Sequence, residues 1–279
     1  MNKELIKLQK APNSRSMGPN VRQVIPSAIG DFDPFVFLDH FGPFVKQPGG
    51  QWVPPHPHAG IATITYLFEG SNRHQDSYGH DAVIEPGDLA WMQAGKGIIH
   101  AEGMNENKTS PETVHGLQFW ISLPAKDKFI EPAFYHYTSN ELPSFNIGST
   151  TIKVVVGSLL NHHSPVKSLS PAFIYEVKIL ANQTVEIPFV SGDSVGLYLI
   201  CGAVRSTNIE ILPTNMVRFD KEGDQLSITA TEDSHFILLG GTPLNEPIVA
   251  YASFVMNSED QIHKVIEDYQ TGKMGTLEL

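Results

Sequence analysis

Glycine and proline break this chain into short pieces. Twenty-three glycines and 20 prolines are spread through its 279 residues, and the runs between them are short and rich in β-branched and aromatic residues. IATITYLF, HGLQFWISL, TIKVVVGSL, FIYEVKI, SVGLYLI and HFILLGG are examples. Runs of strand length bounded by turn residues predict an all-β fold of sandwich or barrel type. Turn signals fall between them at 69–72 (EGSN), 85–88 (EPGD), 191–194 (SGDS) and 221–224 (KEGD).

Two halves echo each other: VIEPGDLAWM in the first and VRFDKEGDQLSI in the second each place a Gly-Asp turn before an apolar strand. Residues 124–146 lack alternation and carry Pro124, Pro132 and Pro143, which predicts a surface linker. Two β-barrel domains are therefore expected, one over 1–135 and one over 136–279. Helix is expected only at the end of the second. There Ser258 suits an N-cap, Glu259 and Asp260 suit the first turn, and Ile262, Val265, Ile266 and Tyr269 recur at helical spacing before Gly272.

Charge narrows the partners. Nineteen basic and 30 acidic residues leave 19 − 30 = −11, with no basic block, so direct nucleic-acid binding is not expected. The lone Cys201 excludes an intramolecular disulfide and reads as a small buried apolar residue. No apolar run approaches the roughly 20 residues of a membrane span, and the first residues lack a signal-like apolar stretch. A cytoplasmic protein without membrane contact is the expectation.

The chemistry gathers in PPHPHAGIAT, residues 54–63. His56 and His58 are two residues apart, so in an extended strand both side chains point to one face, about 6.6 Å apart. Such a pair suits a metal ligand set and equally a solvated sheet edge. Forty-two residues after His58 comes His100, and AGKGIIHAEGM supplies it and Glu102 with the same spacing. The turn Gly95-Lys96-Gly97 before them suits a hairpin that delivers this strand inward. His-x-His and His-x-Glu on two strands of one barrel would give three imidazoles and a carboxylate.

Together PPHPHAGIATITYLFEG, GHDAVIEPGDLAWMQAGKGIIHAE and HGLQFWISLP resemble the pirin family of the cupin superfamily. The resemblance extends from VIPSAIGDFDPFVFLDHFGP (24–43) to SFVMNSEDQIHKVIEDYQTGKMG (253–275), with the middle matched more loosely. It implies a bicupin, two jelly-roll β-barrels face to face with a C-terminal α-helix, and metal in the first barrel only. Its four-ligand site maps onto His56, His58, His100 and Glu102, and Fe(II) is the metal it implies. The second half, with His162, His163, His235 and His263, has no comparable paired array. Two positions depart from the family pattern. Ala62 stands where many members carry glutamate, and Ala59 where many carry arginine. If the strand alternates without a bulge, Ala62 shares the ligand face with His58, and the site lacks a second carboxylate.

Nitrogen and oxygen ligands without thiolate also suit nickel, manganese, copper or zinc. The resemblance implies quercetin 2,3-dioxygenase chemistry on a flavonol-like or enol substrate with dioxygen, Glu102 accepting the substrate proton. The competing implication is a redox-sensitive regulator acting through a protein partner. His74 and His80, in SNRHQDSYGHD, read as solvated loop residues, and His40 as packing. His115 is left open. Gln118 and Trp120 share one face of their strand and Leu117 and Phe119 the other, and parity alone does not say which lines the pocket.

Overall fold

The computed structural model describes residues 1–14, 20–47, 53–103 and 109–278. Among them the chain is almost wholly β, with one α-helix at Glu259–Gln270 and a 3-10 turn at Ala125–Asp127. The all-β expectation holds. No described helix is long and apolar enough to cross a membrane.

Backbone contacts group the chain into two compact units that interleave in sequence. One comprises 1–14, 22–36 and 140–244; the other comprises 15–21, 37–139 and 245–279. This grouping differs from a single cut after residue 135, and it places the helix with the His-x-His segment. The reason is apolar packing. Ile262 and Val265 of the helix bury against Ala59, Phe254, Met256 and Met274. Ser258 caps the helix as expected, its side chain accepting from Gln261 N, and Gly272 takes φ +77° just past its end.

In the His-containing unit, one sheet runs in spatial order through Ala133–Tyr137, Leu89–Gln93, Ile61–Glu69, Glu112–Ser122 and Phe35–Lys46. A second orders Val53–His58, Ile98–Gly103, Asn72–Asp76 and Asp81–Ile84. The turn at residues 94–97 does not close a hairpin. It passes the chain from the first sheet to the second, because Leu89–Gln93 pairs with Ile61–Glu69 whereas Ile98–Gly103 pairs with Val53–His58 and Asn72–Asp76. Close packing requires glycine there: a Cβ on Gly95 would lie 2.1 Å from the Ile130 carbonyl oxygen.

The other unit orders Leu5–Lys10, Asn215–Phe219, Ser194–Cys201, Ser234–Gly241, Ala172–Ile179, Thr150–Val156 and Ser144–Ile147 in one sheet. Its partner sheet holds Thr184–Pro188, Gln225–Ala230, Val204–Ser206 and Ile209–Ile211. Inward residues of both, such as Val177, Leu197, Phe236, Val185 and Ile228, form one apolar core.

Two expectations need correction. Residues 124–146 are not a plain linker, because Ala133–Tyr137 pairs with Leu89–Gln93 and Ser144–Ile147 pairs with Thr150–Val156. Both are edge strands, which tolerate flanking prolines and need no strict alternation. Cys201 is exposed rather than buried. A register shift between Leu199 and Cys201 breaks the alternation that would have turned it inward.

Candidate metal centre

The register of Val53–His58 against Ile98–Gly103 sets His56 directly opposite His100. His58, two residues on, shares the face of His56. The ligand atoms of His56, His58 and His100 all lie within 4.8 Å of one another, the one such cluster among the described residues. Nε2 of His56 is 3.0 Å from Nε2 of His100. Two ligands held about 2.1 Å from a shared ion at right angles sit about 3 Å apart, so this separation fits a transition metal.

The rings are anchored from behind. The His56 Nδ1–H donates to the Pro54 carbonyl at 2.9 Å, and the His58 Nδ1–H to the Ser253 carbonyl at 3.3 Å. A carbonyl only accepts, so both rings must be protonated at Nδ1 and offer Nε2 as a lone pair. Burial pushes the His58 imidazole down to about 3, helped by neighbouring His56 and opposed by the Ser253 hydrogen bond. Burial, with His58, His56 and His74 nearby, holds His100 well below its ordinary value. Both are neutral at physiological pH, as metal ligation requires.

The strand carrying the pair ends at His58, and Gly60 just beyond it takes φ +76°. A Cβ there would lie 2.0 Å from the Val255 carbonyl oxygen. Buried Lys128 secures this junction, its Nζ donating to the Gly60 carbonyl, the Ser122 Oγ and the Val255 carbonyl at 2.7, 2.8 and 2.9 Å.

Glu102 is buried nearby but is not a member of the three-histidine cluster. Its Oε1 accepts from Thr65 Oγ1 at 2.7 Å and Asn72 Nδ2 at 3.3 Å, and its Oε2 accepts from Gln118 Nε2 at 2.6 Å. Gln118 therefore faces the site, and so does Trp120, whose ring meets His58 edge-on at 4.9 Å and stacks on Phe37 at 4.2 Å. Trp120 Nε1 is buried without a partner among the described residues.

Family models match over most of this chain: that of pirin covers residues 18–121, and that of the pirin C-terminal cupin domain covers 174–275. The chain belongs to the pirin family. Human pirin is 34% identical over 270 residues, covering 94% of this chain and 90% of its own. A tomato pirin-like protein is 34% identical over 251 residues, covering 88% and 84%. The crystal structure of a quercetin 2,3-dioxygenase from Acinetobacter baumannii superposes with a TM-score of 0.93 at 25% identity, covering 100% of both chains.

Two sequence expectations about this pirin change. Because Gly60 interrupts the strand, Ala62 does not continue the face of His58. Thr65 is the residue that reaches Glu102, and alternation puts Ala62, Ile64 and Tyr66 on the opposite, fully buried face. His74 is not a solvated loop residue: it is 2% exposed, lies on strand Asn72–Asp76 and stacks on Phe134 at 4.0 Å. Its Nδ1 lies 3.4 Å from Nδ1 of His100, and its Nε2 lies 3.0 Å from Oδ2 of Asp76. His80 is the partly solvated loop residue expected, its side chain 39% exposed, and its Nδ1 lies 2.9 Å from Asp76 Oδ2. Although burial raises the Asp76 carboxyl, hydrogen bonds from His74 and the His80 and Tyr78 amides bring it below its usual value. The sequence carries a signal for this, since His74-x-Asp76 repeats the two-residue spacing of the other pairs.

His40 is buried, as the packing reading expected, with its Nε2 2.7 Å from Nε2 of His115.

A further acid is buried on strand Phe35–Lys46. Phe37 contacts Trp120, and the ring of Phe41 closes over Gly116. Asp39, between them in alternation, shares their face. It is 6% exposed, its Oδ1 has no partner among the described residues, and burial pushes its carboxyl up to about 7.

Proposed function

We propose that this chain is a mononuclear metal-dependent dioxygenase of the quercetin 2,3-dioxygenase type, acting on a flavonol or related enol. The observation that carries the reading is the convergence of three imidazoles beside the buried carboxylate of Glu102. The chemistry named for the Acinetobacter relative supports it.

His56, His58 and His100 would hold the metal, and this reading assigns Glu102 as fourth ligand and Fe(II) as the ion. When bound, the ion supplies a Lewis acid that lowers the pKa of an enol hydroxyl. Glu102 accepts the proton of that hydroxyl. Thr65, Asn72 and Gln118 grip its two oxygens and hold the acceptor in place. Trp120 closes the wall beside His58 and offers its free Nε1–H to a substrate oxygen. Both atoms of dioxygen enter the ring-opened ester while one ring carbon leaves as carbon monoxide. The reaction balances without an external reductant.

The test is oxygen uptake and carbon monoxide release from quercetin by the Fe(II)-reconstituted chain. Both should occur in the parent, be lost in His100→Ala, and fall in Glu102→Gln at equal metal content. A reconstituted parent that consumes no oxygen with quercetin overturns the proposal.

A further inference from the structure

We propose that Asp76 and His74 act as positioning residues that set the tautomer of His100, so that its Nε2 offers a lone pair to the His56–His58 pair. The proposal rests on the reading that this triad holds a metal, and it concerns residues outside the four assigned ligands.

Protons are fixed in turn along one chain of atoms, Asp76–His74–His100. Oδ1 of Asp76 accepts from the backbone N–H groups of Tyr78 and His80, at 2.9 and 3.1 Å. Oδ2 faces His74 Nε2 at 3.0 Å, and a carboxylate in this setting only accepts. His74 must then carry its proton on Nε2. A neutral imidazole has one N–H, so His74 Nδ1 is left as an acceptor. The atom facing it at 3.4 Å is Nδ1 of His100, which completes the contact only by donating. His100 is thereby protonated on Nδ1, and Nε2 is left as a lone pair, 3.0 Å from Nε2 of His56.

The other two rings of the triad obtain the same result from backbone carbonyls, Pro54 and Ser253. Among the described residues His100 has no such carbonyl contact, and a side-chain acceptor takes its place. Stacking of His74 on Phe134, with ring planes 4° apart, fixes the angle at which that acceptor is presented. Near-complete burial of His74 and Asp76 removes water as a substitute partner.

The test uses the full chain stripped of metal and titrated with Ni(II) against a chromogenic chelator. His74→Phe keeps a flat ring against Phe134 but removes the acceptor. His74→Asn places an amide oxygen near the position of Nδ1 and should restore binding. Asp76→Asn is the sharpest variant. Its amide oxygen stays with the Tyr78 and His80 amides, which turns the NH₂ toward His74 and reverses the chain. Loss of such orienting contacts typically costs 10–100-fold in metal affinity. A loss of that size is expected for His74→Phe and Asp76→Asn, with His74→Asn near the parent.

Nitrogen-15 NMR of the metal-free parent gives a readout independent of metal, and His100 should appear protonated at Nδ1. In Asp76→Asn it should shift to the Nε2–H form. Parental Ni(II) affinity in both His74→Phe and Asp76→Asn overturns the proposal, as does an Nε2–H tautomer in the parent. A parent that binds no Ni(II) refutes the metal reading instead, and the tautomer measurement still decides this one.

Discussion

Gln118 donates through Nε2 to Oε2 of Glu102 at 2.6 Å, the shortest of the three contacts that hold that carboxylate. A hydrogen bond to a charged group is worth about 1.5–3 kcal/mol, and Glu102 is buried. Gln118→Leu should therefore lower stability by about 2 kcal/mol in urea denaturation. It should also reduce quercetin turnover more than metal content. An unchanged denaturation midpoint would show that Glu102 is held by other means.

Ala62 gives a contrasting expectation. It lies opposite Ile121 on the face turned from Thr65 and is fully buried. Ala62→Glu should not add a metal ligand. It should bury an unpaired carboxyl and destabilise the fold by several kcal/mol, with unchanged metal stoichiometry in the chain that does fold. A stable variant with altered metal affinity would place residue 62 at the ion after all.

Asp39 predicts a pH dependence of stability. Its carboxyl moves from an ordinary 3.8 to about 7 in the fold through burial. Between those values the unfolded chain has released the proton and the folded chain retains it, so stability falls as pH rises. The contribution is roughly 4 kcal/mol at about 1.36 kcal/mol per unit. Asp39→Asn should flatten this part of the profile and be more stable than the parent above pH 7. Superimposable pH profiles for the two proteins would refute the assignment.

Gly60 is the hinge of the ligand strand. Gly60→Ala adds a Cβ 2.0 Å from the Val255 carbonyl oxygen at a positive φ. It should cost at least about 2 kcal/mol and weaken metal retention by shifting His58, whose ring is held by Ser253 on the same segment. Full metal retention in this variant would separate His58 from the Gly60–Val255 contact.

Much of the site is legible in sequence because a strand repeats every two residues. His56, His58 and His100 are brought together as that period implies, and Gln118 and Trp120 fall on one face together. The period misleads where it is interrupted. Gly60 restarts the alternation before Ala62, and the shift after Leu199 turns Cys201 outward. His74 and Asp76 have the right spacing but sit among polar residues that resemble a loop, and the ring that covers His74 is Phe134, sixty residues away. The interleaving of the two units was not readable either. It depends on Ile262 and Val265 packing on Ala59 across some two hundred residues, which no local pattern encodes.

The most direct test of the account is metal analysis of the full chain, as the parent and as His100→Ala. Convergence of three imidazoles in one unit, against an apolar interior in the other, predicts one transition-metal ion per parent chain and almost none in the variant. Two ions per chain, or full retention in a folded His100→Ala, would contradict it.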